Sequence, residues 1–132
     1  MFKVFVYGTL KPSYSNYLLY CEGRVSEEIK AVTEGKLYHL PNFGYPAMVK
    51  GEGKVKGYLL TFVDDEILAE LDGLEDYHPN KLPQENFYQR RLIDVRDLAA
   101  NPLGQVWAYF MDWHKVQKLG GVFVPSGCWE GR

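Results

Sequence analysis

The chain has 132 residues, 46% of them apolar, and a formal net charge of −2 from 15 basic and 17 acidic side chains. That is the size and apolar content of one ordinary globular domain, spanning positions 1–132. Acids and bases are mixed along the chain, so no basic patch offers a nucleic-acid surface. No run approaches the roughly 20 apolar residues of a membrane span.

The N-terminal stretch reads as an apolar strand with one Lys, not as a secretory signal. Cys21 and Cys128 have neither CxxC nor metal-ligand spacing and read as reduced thiols of a cytoplasmic protein. Ten tyrosines, 13 glycines and 7 prolines favour strands joined by tight turns over a helical bundle.

Taken in order, Phe2 to Tyr7 is rich in aromatic and β-branched residues with apolar groups on both faces, which predicts a central strand. It ends at Gly8, and Pro12 stops the chain soon after. Asn16 is placed to cap a short helix over Tyr17 to Cys21. Val25 to Thr33 is ambiguous. Ala31 to Leu40 reads as a strand with a bulge at Gly35. After the Pro41–Gly44 turn, Tyr45 to Val49 reads as a short edge strand, because Pro46 cannot donate to a ladder. Gly51-Glu52-Gly53 is a hairpin signal, with Lys54 to Phe62 as the returning strand.

The clearest helix is Asp64 to Leu74, with Asp64 as N-cap and Ile67, Leu68, Leu71 and Leu74 on one stripe. A polar loop follows from His78 to about Asn86. Phe87 to Val95 and Gln105 to Met111 are strands, and Trp113 to Leu119 is a helical turn. The tail from Gly120 carries no clear pattern. The expected fold is therefore α+β: a mixed, strongly curved sheet of about six or seven strands closing into a small β-barrel, with one main helix and short helices.

The usual catalytic sets are missing. His39, His78 and His114 have no metal-ligand spacing, and no GxGxxG, GxxxxGK[ST] or GxSxG occurs, so no metal or cofactor is expected. Two features remain. A strand that breaks at a glycine leaves backbone amides without ladder partners, and the turn Tyr7-Gly8-Thr9-Leu10 can cup an anion or a polarised carbonyl. It can equally be a plain turn. Glu75 follows the apolar stripe of the main helix. There a carboxylate points toward the edge of the core, where burial and the helix dipole both raise its pKa. A solvated Glu at a helix end fits the same pattern, and Asp72 and Asp76 read as residues of the exposed side. Tyr88, Tyr109 and Trp129 are polar-tipped aromatics that can line a pocket or fill the core. Ser126-Gly127-Cys128 reads as a turn with a packed thiol before it reads as a nucleophile.

The chain resembles the γ-glutamylcyclotransferase-like superfamily, which includes γ-glutamylamine cyclotransferases and AIG2-like proteins. The matching pieces are Phe5-Val6-Tyr7-Gly8-Thr9-Leu10-Lys11, Asn16, Leu18-Leu19, Gly44-Tyr45-Pro46-Ala47-Met48 and Val55-Lys56-Gly57-Tyr58-Leu59. Leu71-Asp72-Gly73-Leu74-Glu75-Asp76-Tyr77, Tyr88-Gln89-Arg90 and Ser126-Gly127-Cys128-Trp129 complete the set. The YGTL piece alone is weakly specific, and its combination with the Leu-Asp-x-x-Glu-x-Tyr box is much more so. The resemblance implies Glu75 as the catalytic acid/base, Tyr7, Gly8, Thr9 and Leu10 as the substrate-binding loop, and Tyr88 at the pocket. Tyr17 stands where the family often has His, and Cys128 where it often has Asp, departures that bear on pocket shape.

The implied reaction cleaves a γ-glutamyl amine or peptide by attack of its own α-amine on the γ-carbonyl, giving 5-oxoproline and a free amine. The nucleophile belongs to the substrate, so the absence of a Ser, Cys or metal set is consistent with it. Two other readings stay open: a non-catalytic module holding a glutamyl-like small molecule, and a thiol hydrolase using Cys128 with His114. The leaving amine and the oligomeric state are not legible.

Overall fold

The computed structural model describes residues 2–12, 14–78, 80 and 86–131. Six strands and three helices alternate along these residues: β1 (Phe2–Val6), α1 (Ser15–Tyr20), β2 (Val25–Leu40), β3 (Tyr45–Phe62), α2 (Ile67–Leu74), β4 (Gln89–Asp97), β5 (Pro102–Phe110), α3 (Trp113–Lys118) and β6 (Val122–Phe123). The strand order β3-β1-β5-β4-β2 closes because β2 also pairs with β3, and β6 adds to β2 as a sixth strand. The result is a five-stranded mixed barrel with an extra strand, the α+β architecture expected. Most of the polar loop read between His78 and Asn86 lies outside the described residues.

β1 is the central strand that its two apolar faces require. It pairs antiparallel with β3, from Phe2 opposite Phe62 to Val6 opposite Tyr58, and parallel with β5 at Val4 and Trp107. Its side chains alternate between two cores. Phe5 joins Leu37, Met48, Leu59, Val95, Val106 and Phe110, contributed by all five barrel strands, in the barrel interior. Val4 and Val6 join Leu60, Phe62, Ile67 and Leu71, where α2 covers the outside.

Two expectations need correction. Gly51-Glu52-Gly53 is not a hairpin turn, and Tyr45 to Val49 is not a separate strand. Both arms of β3 pair with the same strand, β2: Lys36 to Leu40 face Val49 to Tyr45, and Thr33 and Glu34 face Val55 and Lys54. The register shift falls at Gly35, so the glycine pair loops out as a bulge opposite that residue. Gly53 has φ +135°, and a Cβ there would lie 2.9 Å from the Gly35 carbonyl oxygen, so the bulge demands glycine. The first arm nonetheless keeps the edge character that Pro46 implies, as the site below shows.

α2 starts at Ile67, not at Asp64. The Asp64 carboxylate accepts from the Glu66 amide at 3.1 Å, a local turn that competes with a helical cap. Asn16 does not cap α1 either; its amide nitrogen donates to the Thr9 hydroxyl at 2.7 Å.

Gly57 of β3 lies against the end of β1. A Cβ at this position would overlap the Val6 carbonyl oxygen and touch the Phe5 ring. Gly57→Ala is expected to destabilise the fold by about 2 kcal/mol or more, because backbone rather than a flexible side chain must yield. Urea unfolding of the variant beside the parent measures this.

Candidate active site

The site lies where β1 stops and its neighbours continue. In a strand, the N–H and C=O of one residue point to the same side. The Met48 N–H and C=O and the Pro46 carbonyl bond away from β2, to groups beside the ends of β1, β4 and β5. The Met48 amide donates to the Tyr7 hydroxyl at 3.2 Å, and that hydroxyl donates to the Tyr109 carbonyl at 2.7 Å. The Tyr88 hydroxyl donates to the Pro46 carbonyl at 2.5 Å, and the Met111 amide to the Met48 carbonyl at 2.9 Å. Pro46 thus stands on an edge where no strand asks for its missing N–H.

After Tyr7 the chain must turn out of the sheet. Gly8 passes so close to Pro46 that a Cβ would lie 2.8 Å from its ring. The turn is tied down through its carbonyls: Lys11 donates to Gly8, and Asn16 and Tyr17 at the start of α1 donate to Thr9. The amides of Gly8, Thr9 and Leu10 donate to no acceptor among the described residues. At the far end of the turn the buried Lys11 ammonium donates to the Trp129 carbonyl at 2.5 Å and lies 4.6 Å from the centre of the Tyr14 ring. Burial lowers its pKa.

Glu75 faces this turn across a cavity of about 310 Å³, lined by Tyr7, Gly8, Thr9, Leu10, Glu75 and Tyr88 together with Tyr45, Pro46 and Tyr109. All six residues expected to form the site are therefore brought to one cavity. Glu75 is the C-terminal residue of the α2 turn, its amide bonded to the Leu71 carbonyl at 2.9 Å. Its carboxylate has no cationic partner and no hydrogen bond among the described residues. Burial pushes its pKa up to about 8. The hydroxyls of Tyr7, Tyr88 and Tyr109 are likewise held well above their ordinary range, by burial first.

Asp72, one turn before Glu75, is not on the exposed side. Its carboxylate accepts from the Tyr109 hydroxyl at 2.7 Å and from Arg90 Nη1 at 2.9 Å. The Arg90 guanidinium in turn lies 4.7 Å from the Trp107 ring centre and 5.3 Å from that of Tyr77. This clamp fixes the end of α2 to β4 and β5. The sequence signal for it was the Tyr-x-Arg spacing, which does not reveal that Arg90 reaches across to Asp72. Asp76 lines the cavity but is exposed, with φ +51° and His78 at 3.4 Å.

Other candidates fall away from the cavity. Trp129 packs on Tyr14 and donates from its indole to His39 at 3.0 Å. Ser126 to Cys128 forms a turn around Gly127, whose φ is +70°. No hydrogen bond or ion pair links Cys128 to His114, which is exposed on α3. Tyr17 donates to Glu28 at 3.1 Å on the surface. Neither Tyr17 nor Cys128 lines the cavity. Among the described residues, no three His, Cys, Asp or Glu side chains are grouped to hold a metal ion. No helix among them is long and apolar enough to cross a membrane.

A curved barrel with a carboxylate and a glycine turn lining one cavity is the architecture of an enzyme-like domain with a candidate small-molecule site. The family described as "Gamma-glutamyl cyclotransferase, AIG2-like" matches residues 4–131, and the chain belongs to it. A Vibrio cholerae protein, provisionally named a gamma-glutamylcyclotransferase, is 33% identical over 127 residues, covering 96% of this chain and 93% of its own. The fold matches an AIG2-like protein of Mus musculus with TM-score 0.69 at 20% identity, over 98% of this chain and 88% of that one. It also matches YkqA of Bacillus subtilis with TM-score 0.66 at 22% identity, over 96% of this chain but only 39% of the longer YkqA.

A carboxyl group whose pKa is raised on folding binds its proton more tightly in the folded state. Between its ordinary value of 4.5 and about 8, the folded protein therefore holds more protons than the unfolded chain. Stability falls as pH rises through that window, by up to roughly 1.4 kcal/mol per pH unit. Glu75→Gln is expected to abolish this decline and to be more stable than the parent at pH 8.5. Denaturation midpoints at pH 5 and 8.5 measure it.

Proposed function

We propose that the protein is a cyclotransferase acting on γ-glutamyl amides, with Glu75 as its general acid/base. The observation that carries this is the pairing, in one cavity, of an uncompensated carboxyl group of raised pKa with three unpartnered amides. The amides of Gly8, Thr9 and Leu10 hold the anionic α-carboxylate of the glutamyl group or its polarised γ-carbonyl. Tyr7 and Tyr88 shape the pocket with their rings, since the framework already uses their hydroxyls.

The Glu75 carboxylate takes a proton from the substrate α-ammonium, whose reference pKa is about 7.7–8.0. A carboxyl group with a pKa near 8 is matched to that transfer, whereas an ordinary Glu is too weak a base. The freed amine attacks the γ-carbonyl carbon, forming the new C–N bond of a five-membered ring. The old amide C–N bond then breaks as the proton on Glu75 passes to the departing nitrogen, and the second proton of the ring nitrogen passes by way of Glu75 to the released amine. The products are 5-oxoproline and the amine in its ammonium form, and Glu75 is again a carboxylate. Holding the substrate folded supplies most of the driving advantage, because intramolecular attack reaches effective molarities of roughly 10⁵ M or more.

A panel of γ-glutamyl amides scored for 5-oxoproline release tests the proposal. Glu75→Gln is expected to bind these amides while losing turnover by roughly 10²-fold or more. The parent's kcat/KM is expected to rise with pH as Glu75 ionises, an increase absent from the variant. Turnover at the parent's rate in Glu75→Gln would remove Glu75 from the mechanism. A ligand-induced rise in Tm without turnover of any amide would make the cavity a binding site only.

A further inference from the structure

The cavity wall beside Glu75 and Asp76 is aromatic. Phe43, Tyr45 and Phe87 lie with ring centres 5.5, 5.5 and 6.2 Å apart, and Phe87 meets Tyr88 edge-on at 5.2 Å. Phe43 is 43% exposed at the tip of the β2–β3 turn. The turn itself is made by the Phe43 and Gly44 amides donating to the Leu40 carbonyl, with Gly44 at φ +75°. That geometry asks for glycine at position 44 and makes no demand for a large apolar side chain at position 43. An exposed phenyl ring at a cavity lip, continuous with two half-buried rings, is a surface for a ligand.

The wall has two ends of different charge. At the Phe87 end the Lys115 ammonium is held by the Asn86 carbonyl and lies 5.8 Å from the centre of the Phe87 ring. At the Tyr45 end lie the carboxylates of Glu75 and Asp76, the latter 3.4 Å from His78 Nε2. A ring that has a cation at 5.8 Å is a poor site for a second cation. It remains a good partner for a neutral ring, through edge-to-face and offset contacts.

We propose that the amine released from this site is an arylalkylamine, a neutral aromatic ring on a short alkyl stem, whose ring packs against Phe43, Tyr45 and Phe87. This rests on the γ-glutamyl amide reading of the cavity. The polar turn takes the glutamyl half and the aromatic wall takes the half that leaves. A volume of about 310 Å³ is at the lower end for cavities that enclose whole small ligands, which suits a compact two-part substrate.

The test compares matched γ-glutamyl amides of phenethylamine, 2-cyclohexylethylamine, butylamine and 1,4-diaminobutane. kcat/KM is read from 5-oxoproline release, and Kd from calorimetry on Glu75→Gln. The phenethyl amide is expected to exceed the butyl and aminobutyl amides by about tenfold, and its saturated-ring counterpart by about threefold, mostly in KM. Phe43→Ala and the milder Phe87→Leu are expected to narrow the phenethyl-to-butyl ratio. Equal ratios, preference for the aminobutyl amide, or an unchanged ratio in Phe43→Ala would overturn the assignment. If no amide is turned over, tighter binding of the phenethyl amide to Glu75→Gln still supports it, and equal binding overturns it; the reaction and the wall thus fail separately.

Discussion

The structure depends on how the chain beyond β1 is tied to the end of the barrel. β1 stops at Val6, and past the end of β5 the Met111 amide bonds the Met48 carbonyl of the first arm of β3. The remaining backbone groups at these edges are expensive to bury without partners. Tyr7 resolves this with one hydroxyl, which accepts from Met48 and donates to Tyr109. The Tyr7 side chain makes these bonds, and the backbone turns away at Gly8 beside the cavity, with the amides of Gly8, Thr9 and Leu10 donating to no acceptor among the described residues.

The acid/base group follows from a second contrast. Asp72 and Glu75 are separated by one turn of α2 and have opposite surroundings. Asp72 is neutralised by Arg90 and bonded by Tyr109, so it serves as an anchor. Glu75 faces four tyrosines and, among the described residues, no cation, and burial holds its proton to about pH 8. Two carboxylates one helical turn apart thus differ in surroundings, one anchoring the helix end and the other being the group proposed to transfer protons. The helix end is held rigidly enough by the Asp72 clamp for the second role to have a defined geometry.

The barrel encloses one core and α2 covers another, and β1 feeds both. Alternation along a strand buried on two sides puts Phe5 inside and Val4 and Val6 under the helix. The same alternation carries Tyr7 to the interior side, where its hydroxyl meets Met48 and Tyr109. A site built this way sits on strands and a helix end rather than on a free loop, and its two halves are coupled through Tyr109. That residue accepts from Tyr7 with its backbone and donates to Asp72 with its side chain.

Local pattern was enough to read β1, the barrel class and the Gly35 bulge, because period and turn residues are properties of neighbouring residues; the pairing of the YGTL turn with Glu75 came from the resemblance to the family, since the pattern left Glu75 equally open to being a solvated helix end. It misread positions where long-range partners decide. A glycine pair that signals a hairpin became a bulge, since β2 is long enough to pair with both arms of β3. One miss was local: a run of acids that signals an N-cap became a turn, because Asp64 accepts from the Glu66 amide. Asp72 looked exposed, and Arg90 of β4 reaches across to pair with it. By itself the sequence determined which residues could carry the chemistry. Tertiary structure alone decided their environments, because desolvation and charge pairing at Glu75 and Asp72 are set by residues distant in the chain.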